Sequence, residues 1–202
     1  KIEKHDDLFT IFMKRENLNA KTVILATGAQ PRKLGVKGEK EFTGRGVSYC
    51  ATCDGAFYRD KPIAIVGGGD TAIQEALYLT RFASKVFVIH RRDQLRATKI
   101  LQERALNNKK IEFVWDSVVR EIKGQDTVEG ALIENVKTGK LDSLRIDGIF
   151  FAIGFLPNTD FVKDLVQLDE NGYVITDERM ATNIPGLFAA GDIRHKELRQ
   201  VV

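Results

Sequence analysis

The stretch Ile63-Ala-Ile-Val-Gly67-Gly-Gly69-Asp-Thr-Ala72 joins an apolar strand to a helix through three glycines and has the form G-x-G-x-x-A. In this form the first glycine allows a tight turn, the second lets backbone approach a pyrophosphate, and the small third residue lets helix and strand pack closely. The stretch therefore predicts a dinucleotide-binding βαβ unit; a glycine-rich turn without a ligand is the alternative. The predicted contacts are Gly67, Gly69, Asp70, Thr71 and Ala72.

Helical and strand patterns alternate after the glycine turn. The apolar spacing predicts a helix over 70–82, a strand over 85–89 and a helix over 94–106. From 111 to 145 the spacing shifts toward a period of two, with turn signals at Lys123-Gly124 and Thr138-Gly139, which predicts added antiparallel strands. The predicted fold class is therefore α/β, with a Rossmann-like domain whose parallel sheet has added antiparallel strands.

Arginines are clustered where the second strand of this unit ends. NAD-specific folds place Asp or Glu there to hold the ribose 2′-hydroxyl, but this chain has His90-Arg91-Arg92, with Arg96 about one helical turn later. Guanidinium groups bind phosphate oxygens through paired, charge-assisted hydrogen bonds. The cluster predicts a site for the 2′-phosphate of NADP(H); a solvated basic helix start is the alternative.

Two similar stretches flank this unit. Ala26-Thr-Gly-Ala-Gln-Pro31 and Ala152-Ile-Gly-Phe-Leu-Pro157 each follow a short apolar strand and share their alanine, glycine and proline positions. We interpret them as paired crossings between a domain formed by 1–31 with 157–202 and a domain formed by 32–156; chance similarity is the alternative. Later, the apolar run Leu187-Phe-Ala-Ala190 followed by Gly191-Asp192 predicts a strand leading into a helix.

The chain has two cysteines, and both lie in Ser48-Tyr-Cys50-Ala-Thr-Cys53-Asp54-Gly55. A structural zinc site needs four ligands, and the three histidines include no ligand-like pair, so no metal is predicted. Two inert buried thiols are a second alternative. The C-x-x-C spacing favours a pair that cycles between dithiol and disulfide. From spacing alone, two roles of Asp54 are equally favoured. It is either a proton donor or acceptor for a thiolate, or merely the first residue of an Asp-Gly turn.

Composition restricts the classes of function. The net charge is only +3 and the basic residues are scattered outside the arginine cluster, so no general nucleic-acid or membrane surface is predicted. Apolar runs such as 149–153 are too short for a membrane span, and the N-terminus has no apolar signal segment. We expect a cytoplasmic protein, in a reducing compartment where a close cysteine pair is more often catalytic or metal-binding than structural.

Together these motifs resemble one family. In motif order, and over essentially the whole chain, the sequence closely resembles the low-molecular-weight, bacterial-type thioredoxin reductases. The matching motifs are Cys50-Ala-Thr-Cys-Asp-Gly55, Gly67-Gly-Gly-Asp-Thr-Ala72, His90-Arg-Arg-Asp93 with Arg96, Ala26-Thr-Gly28, and Gly191-Asp192 followed by Arg199-Gln200.

The resemblance implies an enzyme that uses NADPH and FAD to reduce the Cys50–Cys53 disulfide, whose dithiol then reduces thioredoxin. It implies a homodimer, a general acid at Asp54, and an NADPH-binding domain inserted into an FAD-binding domain of the two-dinucleotide-binding-domain flavoprotein type. Asp192 is expected near the flavin's polyol chain, and Arg199-Gln200 near its ring system. The further cofactor-binding residues expected are Thr27, Gly28, Ile153, Gly154, Gly191, Asp192, Arg199 and Gln200.

The sequence departs from this family at its ends. The family begins with its own G-x-G-x-x-G for the FAD pyrophosphate, and this chain has no such motif before Cys50. We therefore expect an internal portion with an incomplete FAD-binding domain and a complete NADPH-binding domain. Two other functions stay open, namely a flavoprotein reductase of a peroxiredoxin and a non-catalytic NADP-binding module.

Overall fold

The computed structural model describes residues 1–196 and divides into two compact units. One unit contains Lys1–Gln30 and the described chain from Phe155 onward, and we call it the split unit. The other contains Pro31–Gly154, and we call it the inserted unit. The assignment of these units to FAD and NADPH stays a prediction.

The strands and α-helices of the described chain are numbered in chain order. The strands of the split unit, with the crossings, are β1 (Ile2–His5), β2 (Leu8–Phe12), β3 (Asn17–Ala20), β4 (Val23–Leu25), β5 (Ala29–Pro31), β14 (Phe155–Pro157) and β15 (Leu187–Ala189). The strands of the inserted unit are β6 (Val47–Ser48), β7 (Pro62–Val66), β8 (Lys85–Ile89), β9 (Ile111–Val114), β10 (Ser117–Gly124), β11 (Val128–Asn135), β12 (Leu141–Arg145) and β13 (Gly148–Phe151). Its helices are α1 (Ala51–Asp54), α2 (Asp70–Leu79) and α3 (Lys99–Leu106).

A five-stranded parallel sheet forms the centre of the inserted unit. Its order is β6-β13-β7-β8-β9, and every pairing in it is parallel. The segment β7-α2-β8 is the βαβ unit predicted from the glycine turn. Because all strands run in one direction, the residues that follow them meet at one edge of the sheet.

Side chains of the parallel sheet alternate between two buried layers. In β7, Ile63 and Ile65 pack with the apolar face of α2, whereas Ala64 and Val66 pack on the opposite side with residues of β10 and β11. A strand's period of two sends successive side chains to opposite faces, so one continuous apolar run supplies both layers. Fully burying each larger aliphatic side chain contributes roughly 1.5–3 kcal/mol.

The antiparallel strands are present, but they cover a face of the parallel sheet rather than extend its edge. They form a separate sheet of order β10-β11-β12, and Val119 and Ala131 place it against the parallel sheet. In contrast to the period-two prediction, β9 belongs to the parallel sheet, because α3 returns the chain to a position beside β8.

The second predicted helix is shorter than its apolar pattern, and α3 begins only at Lys99. The backbone N–H of Arg96 donates to the Gly68 carbonyl at 2.7 Å, and the N–H of Thr98 donates to Asp70 Oδ1 at 2.7 Å. A helix that began at Gln94 would pair the Thr98 N–H with the Gln94 carbonyl. Asp70 binds that N–H instead, and the Gln94 carbonyl lies 3.0 Å from His90 Nε2. The arginine segment is a loop attached to the glycine turn.

The split unit has smaller sheets. Strands β1, β2 and β3 form an antiparallel sheet, and β4 pairs in parallel with β15. Phe9, Leu25 and Leu187 are buried in its core. The predicted helix after Gly191-Asp192 is, in the described chain, a short 3-10 turn over Gly191–Ile193. The two similar stretches pair with each other as β5 and β14.

In residues 1–196, every helix falls short of the length and apolar character that crossing a bilayer requires.

Candidate active site

Cys50 and Cys53 form a disulfide at the start of α1, directly after β6. Their Cα atoms are 5.3 Å apart, and Cys50 Sγ accepts a hydrogen bond from the Cys53 N–H at 3.2 Å. Cys53 and its neighbour Thr52 are exposed, whereas Cys50 is half-buried. The bonded, accessible pair does not fit the alternative of two inert buried thiols.

Ser48 is a site residue that the sequence analysis did not identify. Its hydroxyl donates to Asp54 Oδ2 at 2.6 Å and accepts from the Cys50 N–H at 3.1 Å. Ser48 is 4% exposed, so both hydrogen bonds are shielded from water. One serine thus connects the predicted general acid to the backbone of a redox cysteine.

Tyr49, the residue before Cys50, forms a second interaction that was not identified from the sequence. Tyr49 donates from its hydroxyl to Glu39 Oε1 at 2.8 Å, and its ring lies 5.7 Å from that of Phe151. Burial, followed by the hydrogen bond to Glu39, raises the pKa of Tyr49 to about 12. The sequence contains no local signal for this pair, because Glu39 lies in a different segment and acts through the fold.

The glycine turn after β7 has one closed position and one open position. At Gly67 the backbone φ is +152°, and a Cβ would lie 2.6 Å from both the Ala152 carbonyl oxygen and the Ala72 Cβ. At Gly69 a Cβ would meet nothing within 4 Å. Gly67 therefore allows close packing of helix and strand, while Gly69 leaves backbone accessible to a ligand, as the motif predicts.

The predicted phosphate-binding arginines are exposed and have no ion-pair partner in the described chain. Arg91, Arg92 and Arg96 lie in the loop between β8 and α3. The nearby Asp93 is instead bound by Lys137, whose Nζ lies 2.9 Å from Asp93 Oδ2. Three guanidinium groups without carboxylate partners constitute a strongly cationic loop that is available to an anion.

His90 differs from the three arginines. It is 6% exposed, its Nε2 lies 3.0 Å from the Gln94 carbonyl oxygen, and a Cβ on Gly68 would lie within 2.3 Å of its ring. Burial lowers the pKa of His90, and the neighbouring arginines lower it further. The neutral ring thus supports the glycine turn and the loop from within, and its predicted contact with the cofactor stays a prediction.

The acidic residue of the glycine motif also has a structural partner. Asp70 accepts a hydrogen bond from the Thr98 N–H, while Thr71 is exposed and Ala72 is buried. Asp70 therefore connects the start of α2 to the loop before α3. A direct contact between Asp70 and a cofactor is untested.

The parallel sheet brings these elements to one edge. Cys50 follows β6, Ile153 and Gly154 follow β13 after one intervening residue, Gly67 follows β7, and His90 follows β8. The strands are neighbours in that order, so the disulfide, the glycine turn and the arginine loop lie along the carboxyl ends of one sheet. Open α/β sheets bind their ligands at this edge.

The turns predicted for FAD lie at adjacent strand ends in the split unit. Gly28 follows β4 and Gly191 follows β15, and these two strands pair in parallel. Their φ values are +65° and +75°, and a Cβ at either position would meet nothing within 4 Å. Both backbone turns are therefore open to a ligand.

The side chains beside those turns already have partners. The Thr27 hydroxyl donates to the Asn158 carbonyl at 2.9 Å, and the Asn158 side-chain amide donates back to the Thr27 carbonyl at 2.8 Å. Asp192 Oδ1 lies 2.8 Å from Lys196 Nζ. Asn158 was not identified from the sequence, although it directly follows the second of the two similar stretches, which ends at Pro157. The predicted residues Arg199 and Gln200 lie outside the described residues.

Across residues 1–196, His, Cys, Asp and Glu side chains form no group of three that could hold a metal ion.

Comparison with known proteins relates this arrangement to redox enzymes. The chain matches the family model described as pyridine nucleotide-disulphide oxidoreductase over residues 2–202. It is 52% identical over 195 residues to a thioredoxin reductase of Peptoclostridium acidaminophilum, covering 94% of this chain and 62% of the relative. It is 51% identical over 185 residues to that of Bacillus subtilis, covering 91% and 58%. The chain thus spans about three fifths of the length of these curated relatives.

Solved structures agree with the sequence comparison. The thioredoxin reductase of Streptococcus pyogenes superimposes with a TM-score of 0.83 at 56% identity, over 99% of this chain and 66% of that one. A thioredoxin reductase of Lactococcus lactis also superimposes with a TM-score of 0.83, at 50% identity, over 98% and 66%. The fold is therefore that of the thioredoxin reductases over the matched length.

Proposed function

The chain belongs to the pyridine nucleotide-disulphide oxidoreductase family, and we propose that the protein is an NADPH-dependent thioredoxin-disulfide reductase. The observation that supports this most is the arrangement along one sheet edge, where an accessible disulfide, an open glycine turn and unpaired arginines occur together. A non-catalytic NADP-binding module would need no redox disulfide at that edge.

NADPH, rather than NADH, is the proposed electron donor. The loop after β8 presents Arg91, Arg92 and Arg96 where an NAD-specific fold would present a carboxylate. Two acidic residues near this loop, Asp93 and Asp116, are both bound by Lys137. The pyrophosphate would lie at the Gly69 backbone and the amino end of α2, which offers unpaired N–H groups.

The cysteines perform the proposed exchange with thioredoxin. In the reduced pair, we propose that the exposed Cys53 attacks as a thiolate, forming a mixed disulfide and releasing one thioredoxin thiolate. Asp54 donates a proton to that leaving thiolate. Cys50 then attacks the Cys53 sulfur, which restores the internal disulfide and releases the second thioredoxin thiolate to be protonated. One disulfide forms as another breaks, with two electrons and two protons transferred.

FAD is the proposed second cofactor, and the split unit fits it in part. Gly28 and Gly191 provide two open backbone turns at neighbouring strand ends, and Asp192 lies beside them. When bound, FAD would supply two-electron transfer between NADPH and a disulfide. The Thr27 and Asn158 hydrogen bonds would hold the first of these turns in position.

We further propose thioredoxin as the protein substrate, a cytoplasmic location and a homodimer. The names of the relatives support the first of these. A reducing compartment suits a disulfide that must open in every cycle, which supports the second. The homodimer rests on the resemblance alone.

The test uses the protein expressed from its complete reading frame and loaded with FAD. We expect it to oxidise NADPH when oxidised thioredoxin is added, and to oxidise NADH far more slowly. Turnover with a peroxiredoxin but not with thioredoxin would favour the peroxiredoxin reductase instead. NADPH binding without turnover on either protein would favour the non-catalytic module.

A further inference from the structure

Ser48 has a geometry that packing alone does not require. It ends β6, it is 4% exposed, and its hydroxyl lies between Asp54 and the Cys50 backbone. The 2.6 Å separation from Asp54 Oδ2 is that of a charge-assisted hydrogen bond from a hydroxyl to a carboxylate. The Cys50 carbonyl oxygen, at 3.4 Å, is the more distant acceptor for the same single proton.

We propose that Ser48 is a positioning residue for the proton transfer, acting through Asp54 and the Cys50 backbone. This inference rests on the proposed function, because it assigns a role within the exchange of Cys50 and Cys53 with a disulfide substrate. The hydroxyl orients one carboxylate oxygen of Asp54, which leaves the other oxygen for the proton that the leaving thiolate receives. The hydrogen bond from the Cys50 N–H holds the serine itself in place.

The groups around Asp54 support the inference that Ser48 sets the orientation of its carboxylate. Among the described residues, the side-chain hydrogen bond that Asp54 accepts is the one from Ser48, and Tyr58 is a titratable neighbour whose pKa is affected by the charge of Asp54. Burial and then the charges of Asp54 and Asp147 raise the pKa of Tyr58. Tyr58 therefore stays protonated at neutral pH, and Ser48 is the residue that determines the direction of the carboxylate.

The experiment compares five variants in the FAD-loaded protein from the complete reading frame: Ser48→Ala, Ser48→Thr, Asp54→Asn, the double variant Ser48→Ala with Asp54→Asn, and Ser117→Ala. Ser117 is a matched control, since it is 5% exposed and its hydroxyl donates to the Trp115 carbonyl at 2.7 Å. The first measurement is the pH dependence of iodoacetamide alkylation after chemical reduction of the cysteine pair. The second is the pH dependence of thioredoxin reduction.

We expect Ser48→Ala to slow thioredoxin reduction by about tenfold to a hundredfold, because a misplaced catalytic group loses that much. Its alkylation profile should move to that of Asp54→Asn, and the double variant should be no slower than Asp54→Asn, since residues that act as one unit are not additive. Ser48→Thr keeps the hydroxyl and should keep the wild-type profile, as should Ser117→Ala.

A wild-type profile in Ser48→Ala, or losses that multiply in the double variant, would overturn the proposal. If Ser48→Ala does not fold, Ser48→Thr decides, and a profile like that of Asp54→Asn would count against the proposal. Alkylation needs neither NADPH nor thioredoxin, so the two proposals fail separately. If the variants show that Ser48 and Asp54 are coupled but the protein never reduces thioredoxin, the proposed function is refuted and the coupling of the two residues stands.

Discussion

The inserted and split units both end parallel strands in an open glycine turn, but they surround those turns with different charges. In the inserted unit, Gly69 is followed by a helix and lies beside a loop with three unpaired arginines. In the split unit, Gly28 and Gly191 lie beside Asp192 and short strands. Under the proposed function, similar open turns would bind two different ligands, and the nearby side chains would determine which one binds.

The units also differ in how completely they bury their strands. All four residues of β13 in the inserted unit are buried, because helices cover one face of the sheet and a second sheet covers the other. In the split unit, Ile24 of β4 is 69% exposed. The parallel sheet of the inserted unit is thus buried on both faces within that unit. The variants below test whether the proposed functions of the two units are separable.

The largest effect is expected at the disulfide. Cys50→Ser or Cys53→Ser should lower NADPH-dependent thioredoxin reduction by at least about 10³-fold, because the nucleophile pair acts as a unit. NADPH affinity should not change, since the arginine loop and glycine turn are intact. Cys50→Ser retains the exposed Cys53 and should accumulate a mixed disulfide with thioredoxin, measurable by mass spectrometry. A mixed disulfide formed mainly by Cys53→Ser would assign the attack to Cys50.

The glycine turn offers a matched pair of substitutions. Gly67→Ala should lower the free energy of unfolding by about 2–3 kcal/mol, because its Cβ would collide with Ala152 and Ala72 at a positive φ. Gly69→Ala should change it by less than about 1 kcal/mol, yet weaken NADPH binding at the pyrophosphate. Denaturant unfolding and NADPH titration separate the two. Equal stability losses would contradict the open space at Gly69, and an unchanged NADPH affinity in Gly69→Ala would contradict the pyrophosphate contact.

The arginine loop should distinguish the two nicotinamide cofactors. Arg91→Ala should cost about 1.5–3 kcal/mol in NADPH affinity through loss of a charged hydrogen bond, with NADH affinity nearly unchanged. Arg120→Ala is the control, because Arg120 is an exposed arginine that is paired with Glu134 at 2.6 Å. Calorimetric titration of both cofactors is the measurement. Equal losses for NADPH and NADH would remove the 2′-phosphate assignment.

A smaller, pH-dependent effect is expected at Glu75 of α2. Burial raises the pKa of Glu75 to about 7, above its unfolded value of 4.5. The folded state therefore binds a proton that the unfolded state releases, so stability falls as pH rises from 4.5 and the loss is complete above 7. Glu75→Gln should add about 1–2 kcal/mol to the free energy of unfolding at pH ~8 and little at pH ~4.

The exposed Glu103 of α3 provides the control for this substitution. Glu103 is exposed on α3, unlike the partly buried Glu75, and we expect Glu103→Gln to leave the pH dependence of unfolding unchanged. A gain for Glu75→Gln that is the same at both pH values would exclude burial as its cause.

The smallest effect is expected in the split unit. Gly191→Ala should cost about 1 kcal/mol in stability, since its φ of +75° is unfavourable for alanine although the space is open. FAD retention should fall, while NADPH affinity should stay at the wild-type value. A parallel loss of NADPH affinity would contradict the separation of the two units.

Much of the inserted unit could be predicted because its signals are local. The alternation of apolar residues and the G-x-G-x-x-A spacing locate β7, α2 and β8, since strand and helix periods act over a few neighbouring residues. Two features could not be predicted in this way. The loop before α3 is not helical because Gly68 and Asp70 bind its backbone donors, and the antiparallel strands pack on a face because their apolar sides match that layer.

The amino-acid sequence by itself determined the redox pair, the glycine turn, the arginine cluster and the family resemblance, because each is a short run of residue types with one chemistry. Only the tertiary structure decided which side chains support them. The Ser48 hydroxyl binds Asp54, six residues later at the end of α1, and Glu39 binds the hydroxyl of Tyr49, ten residues later. Hydrogen bonds of this kind depend on how the folded backbone brings two side chains within 3 Å, and the six- and ten-residue spacings do not by themselves encode that distance.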